Sequence, residues 1–354
     1  MRILITGGAG FVGSSLALAW REREPTARIV VLDNQRRIGS ELNLPRLAAH
    51  GIEFRHGDIR VADDLHDLDG SFDIMIEASA EPSVLAGLDG SPSYVLQANL
   101  AGTLNCLELA RRRVGAMVFL STSRVYSIRP LRELRLREEP TRFELDEARA
   151  HDGVTAEGID ESFTTRLPRS LYGATKLASE LIIQEYVETF GLRAVIDRCG
   201  VIAGPGQFGK VDQGVFTLWV AAHHFGRALR YTGFGGTGKQ VRDLLHPLDL
   251  FELVRRQVDR IESVAGEIYN VGGGREVSTS LLELTSACRE ATGREVEVAA
   301  EATTSTVDIP LYLSDARRAR AEFDWRPERS VDTIVEEIAH WLRASEEELR
   351  PLFT

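Results

Sequence analysis

The sequence predicts an α/β chain: a Rossmann-type doubly wound parallel sheet, joined to a smaller α/β substrate-binding domain. Three observations predict it. An apolar run of strand length enters a glycine loop and leaves as a helix at Ile3-Leu-Ile-Thr-Gly-Gly-Ala-Gly-Phe-Val-Gly13. The next strand, Arg28-Ile-Val-Val-Leu32, ends at the acidic Asp33, 20 residues past Gly13. Strand-like and helix-like segments then alternate through the first 200 residues, the pattern that covers both faces of a parallel sheet with helices.

The glycine loop comes first. Gly7 permits the tight turn, Gly10 lets backbone approach a pyrophosphate, and Gly13 lets the following helix pack closely on the sheet. That helix, about Phe11 to Arg21, points free N–H groups and its positive dipole end at the phosphates. Asp33 stands where a ribose 2′-hydroxyl needs an acceptor and would repel a 2′-phosphate, so the loop reads as a site for NAD rather than NADP. Arg36 and Arg37 are the residues that would favour NADP.

Further strands follow at Ile52–Arg55, Asp73–Glu77, Ala116–Leu120 and Leu192–Ile196, with helical periodicity over Tyr94–Arg113 and Leu171–Thr189. The polar loops after these strands fall on one sheet edge, where ligands collect in such folds. A long charged stretch, Arg129 to Glu161, interrupts the alternation. A connection of that length reads as a lid, a partner-contacting insertion or a solvated loop. Past residue 200 come the loop Ala203–Gly209, a helix over Asp212–Gly226 and a glycine-rich loop at Gly233–Gly238. A helix and strand over about 243–273 then rejoin the first sheet. The organisation expected is a dinucleotide-binding domain over 1–200, rejoined by 243–273, and a substrate domain made mainly of 201–354.

Composition narrows the function. The chain has 354 residues, 43% hydrophobic and 27% charged, with a net charge of −11. That charge excludes a general nucleic-acid or acidic-membrane surface. No apolar stretch is long enough to cross a bilayer, and a strand starting at residue 2 leaves no room for a signal peptide. Cys106, Cys199 and Cys288 lie far apart with no zinc or redox spacing, which places the protein in a reducing cytoplasm. The eight histidines form no metal pattern. His223 and His224 are adjacent on a helix and point about 100° apart. No metal is expected.

The second informative stretch is Tyr172-Gly-Ala-Thr-Lys176. Residues four apart share a helix face, and an ammonium beside a phenol lowers the phenol's pKa. A phenolate formed this way accepts a hydroxyl proton near neutral pH. The chain has only three lysines, at 176, 210 and 239, so the pairing is unlike a random surface contact. Ser121, Thr122 and Ser123 end a strand on the glycine-loop edge, where a hydroxyl bridges substrate and Tyr172 or merely caps a turn. Gln207, Gln213 in Asp212-Gln213-Gly214, and Arg242 in Gln240-Val-Arg-Asp243 offer polar groups for a second ligand. The Arg242 fork suits a phosphate, or else it pairs with Asp243.

Taken together, these stretches resemble the extended short-chain dehydrogenase/reductase family of nucleotide-sugar enzymes over nearly the whole chain. The resemblance rests on Thr6–Gly13, Asp33-Asn34, Gly57-Asp-Ile-Arg60, Asn99 with Gly102-Thr103, Ser121-Thr122, Tyr172–Lys176 and Arg242-Asp243. It implies NAD as cofactor and a nucleotide-sugar substrate linked to CDP or UDP. It implies a homodimer formed by helices at about Asn99–Arg113 and Tyr172–Thr189. Carried over by position, Phe11, Val12, Asn34, Asp58, Ile59, Ala78, Ala80, Asn99 and Ser121 join the glycines, Asp33, Tyr172 and Lys176 around the cofactor. Thr122, Tyr172 and Lys176 are catalytic, and Ser123, Gln207, Gln213 and Arg242 face the sugar nucleotide. Family dehydratases carry Asp-Glu after the catalytic threonine; here the pair is Ser123-Arg124. The resemblance therefore implies epimerisation through a transient keto-sugar, at C2 of a CDP-linked 3,6-dideoxyhexose. The alternatives are a UDP-sugar 4-epimerase, a UDP-glucuronate-processing enzyme, or a protein that binds NAD without turnover. Ser127 after Val125-Tyr126, Arg198–Pro205 and Ser305–Asp308 depart from the family's usual residues.

Overall fold

The structure is a computed structural model that describes residues 1–88, 90–146, 151–209 and 213–353. Its centre is a seven-stranded parallel sheet. In chain order the strands are β1 (Arg2–Thr6), β2 (Arg28–Asp33), β3 (Glu53–His56), β4 (Phe72–Glu77), β5 (Val114–Thr122), β6 (Ala194–Cys199) and β7 (Ile268–Val271). Across the sheet they lie in the order β7-β6-β5-β4-β1-β2-β3. The order reverses between β1 and β4, and the carboxyl ends of those two strands frame the crevice in which such sheets hold ligands.

Both faces are covered, so the strands are apolar on both sides. Ile3, Ile5, Ile29, Val31, Ile74 and Ile76 pack on one face. Leu4, Val30, Leu32, Met75, Met117 and Phe119 pack on the other. Helix α1 (Phe11–Arg23) follows β1, and helices α2 (Gly102–Arg113) and α3 (Leu171–Phe190) lie over the second face. Ser170 caps α3 by accepting from the Gly173 N–H, and Gly191 ends it in the left-handed conformation at φ +66°.

Several boundaries differ from the sequence reading. β3 starts one residue later, and the sixth strand runs from Ala194 to Cys199, because pairing with β5 and β7 carries it on. The helical stretch before residue 113 contains a π-turn over Gln97–Ala101. The helix expected from Asp212 starts at Val215, after Gly214 at φ +77°. Asp212 lies outside the described residues.

Beyond the sheet, Val241–Leu245 pairs with Val201–Ile202, Leu311–Tyr312 and, antiparallel, Ser278–Ser280. A separate core of Phe216, Trp219, Val220, Leu284, Ile334, Ile338 and Leu342 lies among the helices of this half. The charged stretch is neither a free lid nor a solvated loop where it is described. Its hairpin, Leu136–Glu138 with Phe143–Leu145, docks on the second half. There Thr141 donates to Glu283 at 2.7 Å, Arg142 to Ser278 at 2.7 Å, and Lys239 to Glu138 at 2.8 Å. Leu131, Leu145, Ile159 and Phe163 are buried beneath it. No periodic signal in the sequence marks this docking, because the few apolar residues of the stretch have no regular spacing.

Candidate active site

A cavity of ≈ 1450 Å³ runs from the glycine loop, past the ends of β4 and β5, to the strand at Arg242. Close approach shapes its floor. A Cβ on Gly7 would meet the Ala78 carbonyl at 2.8 Å, and one on Gly13 would meet the Gly7 carbonyl at 2.3 Å. Gly10, Phe11, Val12 and Gly13 line the cavity. Gly8, outside the spacing of three, is as constrained: its Cβ would fall 2.3 Å from Val31 Cβ. Asp33 accepts from the Ala9 N–H at 3.1 Å and the Gln35 N–H at 2.7 Å, so it closes the loop as well as facing the cavity. Burial pushes its carboxyl up, and these backbone donors oppose the shift.

Asn34, Asp58, Ile59, Ala78 and Ala80 also line the cavity. Asn34 donates to Asp58 at 2.8 Å, and Arg60 forks onto Asp58 at 2.6 Å. Burial raises the Asp58 carboxyl, but Arg60 and Asn34 outweigh it and hold it down at about 2. Arg36 and Arg60 both stand over the Tyr94 ring, at 3.9 and 4.8 Å. This stack joins residues from three segments, and no local motif signals it. Asn99 takes another place. It is buried off the cavity lining, accepts from the Glu81 N–H at 2.7 Å and donates to the Glu81 carbonyl at 3.0 Å. It therefore holds the loop after β4 that carries Ala78 and Ala80.

At the end of β5, Thr122, Tyr172 and Lys176 come together. The Thr122 side chain lies close enough to the Tyr172 hydroxyl to lower the phenol's pKa. Lys176 Nζ donates to the Leu120 carbonyl at 2.9 Å and lies 4.3 Å from the centre of the Phe119 ring. Gly173 makes this meeting possible: a Cβ there would sit 2.0 Å from the Arg124 carbonyl oxygen. With no side chain between them, α3 presses against the turn after β5. The expectation that Lys176 lowers the Tyr172 pKa meets a larger opposing effect. Burial pushes the phenol up to about 12, with the Thr122 hydrogen bond the main influence against it. Burial likewise lowers the Lys176 ammonium.

Ser121 lines the cavity, but its hydroxyl donates inward to Glu180 at 2.5 Å. Glu180 pairs with Arg198 at 2.7 Å, both buried. Arg198 also donates to the Tyr126 hydroxyl at 3.2 Å, and Tyr126 donates to Asn270 at 2.7 Å. Arg198, which opens the stretch that lacks the family's usual asparagine and tyrosine, is thus matched inside the protein. This network ties β5, α3, β6 and β7 together from residues up to 144 positions apart, which no local motif could signal.

The opposite wall carries Ser123, Arg124, Gln207, Gln213, Gln240, Arg242 and Asp308. Gln207 is already engaged: it donates to the Ile202 carbonyl at 2.9 Å and accepts from Thr217 at 2.8 Å. Gln213 Oε1 and Gln240 Oε1 are buried without a hydrogen-bond partner among the described residues. Gln240 Nε2 donates to the Thr232 carbonyl at 3.1 Å, which leaves its Oε1 as an acceptor. Arg242 pairs at 2.8 Å with Asp308, not with its neighbour Asp243. Strand alternation turns Asp243 the other way, to accept from the Ser314 and Gly274 N–H groups. Burial lowers Arg242 to about 10 and Arg124 repels it, two guanidiniums that an anionic ligand would relieve. Among the described residues no His, Cys, Asp and Glu cluster could hold a metal ion, and no helix is long and apolar enough to cross a membrane.

Glycine cradle, Asp33 and the Thr122–Tyr172–Lys176 group fit a dinucleotide lying from the β1–β2 edge to the end of β5. Comparison with known proteins agrees. The chain is similar to the CDP-paratose 2-epimerase of Salmonella typhi, 30% identical over 353 residues, 96% of this chain and 99% of that protein. It is 28% identical to a dTDP-glucose 4,6-dehydratase of Streptomyces niveus, over 99% of this chain and 96% of the other. Among solved structures it resembles the Thermus thermophilus UDP-glucose 4-epimerase complex with NAD, with TM-score 0.76, 26% identity and 98% and 100% of the two chains covered. It also resembles DesIV, a dTDP-glucose 4,6-dehydratase from Streptomyces venezuelae with NAD and TYD bound, with TM-score 0.77, 27% identity and 99% and 100% covered. The model of the NAD dependent epimerase/dehydratase family matches residues 3–272. The protein belongs to that family, an extended short-chain dehydrogenase/reductase enzyme that uses NAD.

Proposed function

We propose that the protein epimerises a nucleotide-sugar through a transient keto-sugar, and that its substrate is a CDP-3,6-dideoxyhexose inverted at C2, as for a CDP-paratose/CDP-tyvelose 2-epimerase. The observation that carries this reading lies just after Thr122. A dehydratase of this family needs a carboxylate pair there; the cavity instead presents Ser123 and Arg124. The site holds the groups for moving a proton and a hydride but lacks that acid pair for expelling water. The 30% identity to CDP-paratose 2-epimerase supports the choice of sugar.

NAD, when bound, supplies the acceptor for the carbon hydride and gives it back. The chain does the rest. Tyr172 takes the proton from the sugar hydroxyl at its phenolic oxygen, and Thr122, beside that oxygen, aligns the hydroxyl. Lys176, fixed by Leu120, would hold the nicotinamide ribose, and its charge would favour a phenolate at Tyr172. Gly7, Gly10 and Gly13 seat the pyrophosphate, and Asp33 takes the adenosine ribose. Arg242 and Arg124 bind the phosphates of the sugar nucleotide, with Gln213 and Ser123 beside them. After the hydride leaves, the keto-sugar turns and receives it on the other face. Intact Thr122, Tyr172 and Lys176 favour turnover over NAD binding alone.

The working unit we propose is a homodimer made through α2 and α3, where Leu104, Leu181 and Phe190 are exposed. Cys106, Cys199 and Cys288 are buried and unpaired, which suits a reducing cytoplasm.

Incubating the NAD-loaded enzyme with CDP- and UDP-sugars in D₂O tests the reading. The expected result is a C2 epimer of the CDP-sugar with no solvent deuterium on carbon. Inversion of a UDP-sugar at C4 instead would assign the UDP-sugar 4-epimerase reaction. Deuterium beside the carbonyl would mark dehydration chemistry, and loss of CO₂ a decarboxylase. No product, with NAD retained, would leave a binding protein.

A further inference from the structure

We propose that Glu77 is a positioning residue of the hydride-transfer site, acting as the buried counter-charge of Lys176. The catalytic half of this inference rests on the roles proposed for Tyr172 and Lys176; the pairing itself does not. Glu77 ends β4 and is fully buried. In register it stands beside Phe119 of β5. Met75, Met117 and Phe119 belong to the core on the α2–α3 face, and alternation puts Glu77 on that same face. Lys176 lies over Phe119 from α3. Carboxylate and ammonium are therefore drawn together by one cross-strand pair.

The hydrogen bonds around Glu77 account for half of the carboxylate. The Thr103 hydroxyl of α2 lies 2.6 Å from Oε1 and 2.7 Å from the Asn99 carbonyl, and Oε2 has no hydrogen-bond partner among the described residues. Burial raises the Glu77 carboxyl, and the attraction of the Lys176 ammonium is the largest influence opposing it, with the Thr103 hydroxyl next.

The other ionisable groups facing Lys176 do not serve. On its own helix, Glu180 is matched by Arg198 and accepts from Ser121. Tyr172 lies one turn back and is pushed up by burial. Cys199 of β6 and Cys106 of α2 face the ammonium as thiols, both pushed well up by burial. Burial lowers the Lys176 ammonium, and the attraction of Glu77 is the largest influence opposing it. Without that carboxylate the lysine would shed its proton more easily and stop supporting a phenolate at Tyr172.

The three lysines make a direct test practical. In NAD-loaded enzyme carrying ¹⁵N-lysine, the Lys176 ammonium is assigned by its loss in Lys176→Met and titrated by NMR. In Glu77→Gln its midpoint should fall by about one to two pH units, the effect of removing one neighbouring charge from a buried site. Glu77→Asp should keep it near the wild-type value. The alkaline limb of the kcat profile should follow, with Glu77→Gln at least about tenfold down at pH 9 but within about threefold at pH 6.5. Should Glu77→Gln fail to fold, Glu77→Met replaces it. A midpoint that stays put in the uncharged variant overturns the pairing. A midpoint that falls while the kcat profile stays fixed upholds the pairing and overturns the catalytic role given to Lys176.

Discussion

The two walls of the cavity are built differently. The cofactor wall is local: Gly7 to Gly13 lie within one turn, and Tyr172 and Lys176 within one helical turn. Asp33 there captures two backbone N–H groups. The substrate wall gathers Arg124, Gln213, Gln240 and Arg242 from separate segments, held by Asp308 and the docked hairpin. It keeps buried acceptors unsatisfied at Gln213 and Gln240. A buried acceptor without a partner costs about 1–3 kcal/mol, so this wall gains the most from a polar ligand. The difference matches the roles proposed for the two walls, one for a resident cofactor and the other for an exchanging substrate.

Substitutions can sharpen or break that contrast. Tyr172→Phe should lower kcat by about a thousandfold with NAD still bound, as loss of a positioned proton acceptor does; steady-state assay and cofactor content measure the two separately. Gly173→Ala should cost about a hundredfold in kcat, since the new Cβ, 2.0 Å from the Arg124 carbonyl, must push Tyr172 from Thr122. Wild-type turnover in this variant would mean the close approach is unimportant. Arg242→Ala should instead raise KM by about ten- to a hundredfold, the worth of a charge-assisted phosphate contact, with kcat changed little. A fall in kcat at constant KM would erase the division between the walls.

The smallest effect lies behind both walls, in stability. Asp197 on β6 is buried, accepts from Gln257 at 2.7 Å, and leaves Oδ2 without a partner among the described residues. Burial pushes its carboxyl up to about 7. The folded state then holds a proton that the unfolded chain releases near pH 4, so this group lowers stability as pH rises from about 4 to 7. Asp197→Asn should be more stable than wild type at pH 8, by roughly 1–3 kcal/mol, and should lose that advantage near pH 4. Thermal melts at the two pH values measure it.

What the sequence made legible follows the same division. The glycine spacing, Asp33 and the Tyr172–Lys176 interval are short-range patterns with a direct chemical meaning, and they locate the cofactor wall. Gly173 was in plain view, but its demand appears only when the Arg124 carbonyl stands opposite. Asn99 and Ser121 were expected at the cofactor; Asn99 holds the loop after β4, and the Ser121 hydroxyl turns to Glu180. The Glu180–Arg198–Tyr126–Asn270 network joins positions that no periodicity connects. The hairpin in the charged stretch was illegible because backbone pairing and distant ion pairs, more than an apolar stripe, fix it.

The central claim is that the sugar's own hydrogen leaves its carbon and returns to it from the other side. Substrate deuterated at the inverted carbon, run to equilibrium in ordinary water, tests this most directly. The account predicts an epimer that keeps its deuterium at that carbon. Washout of the label into water would contradict it.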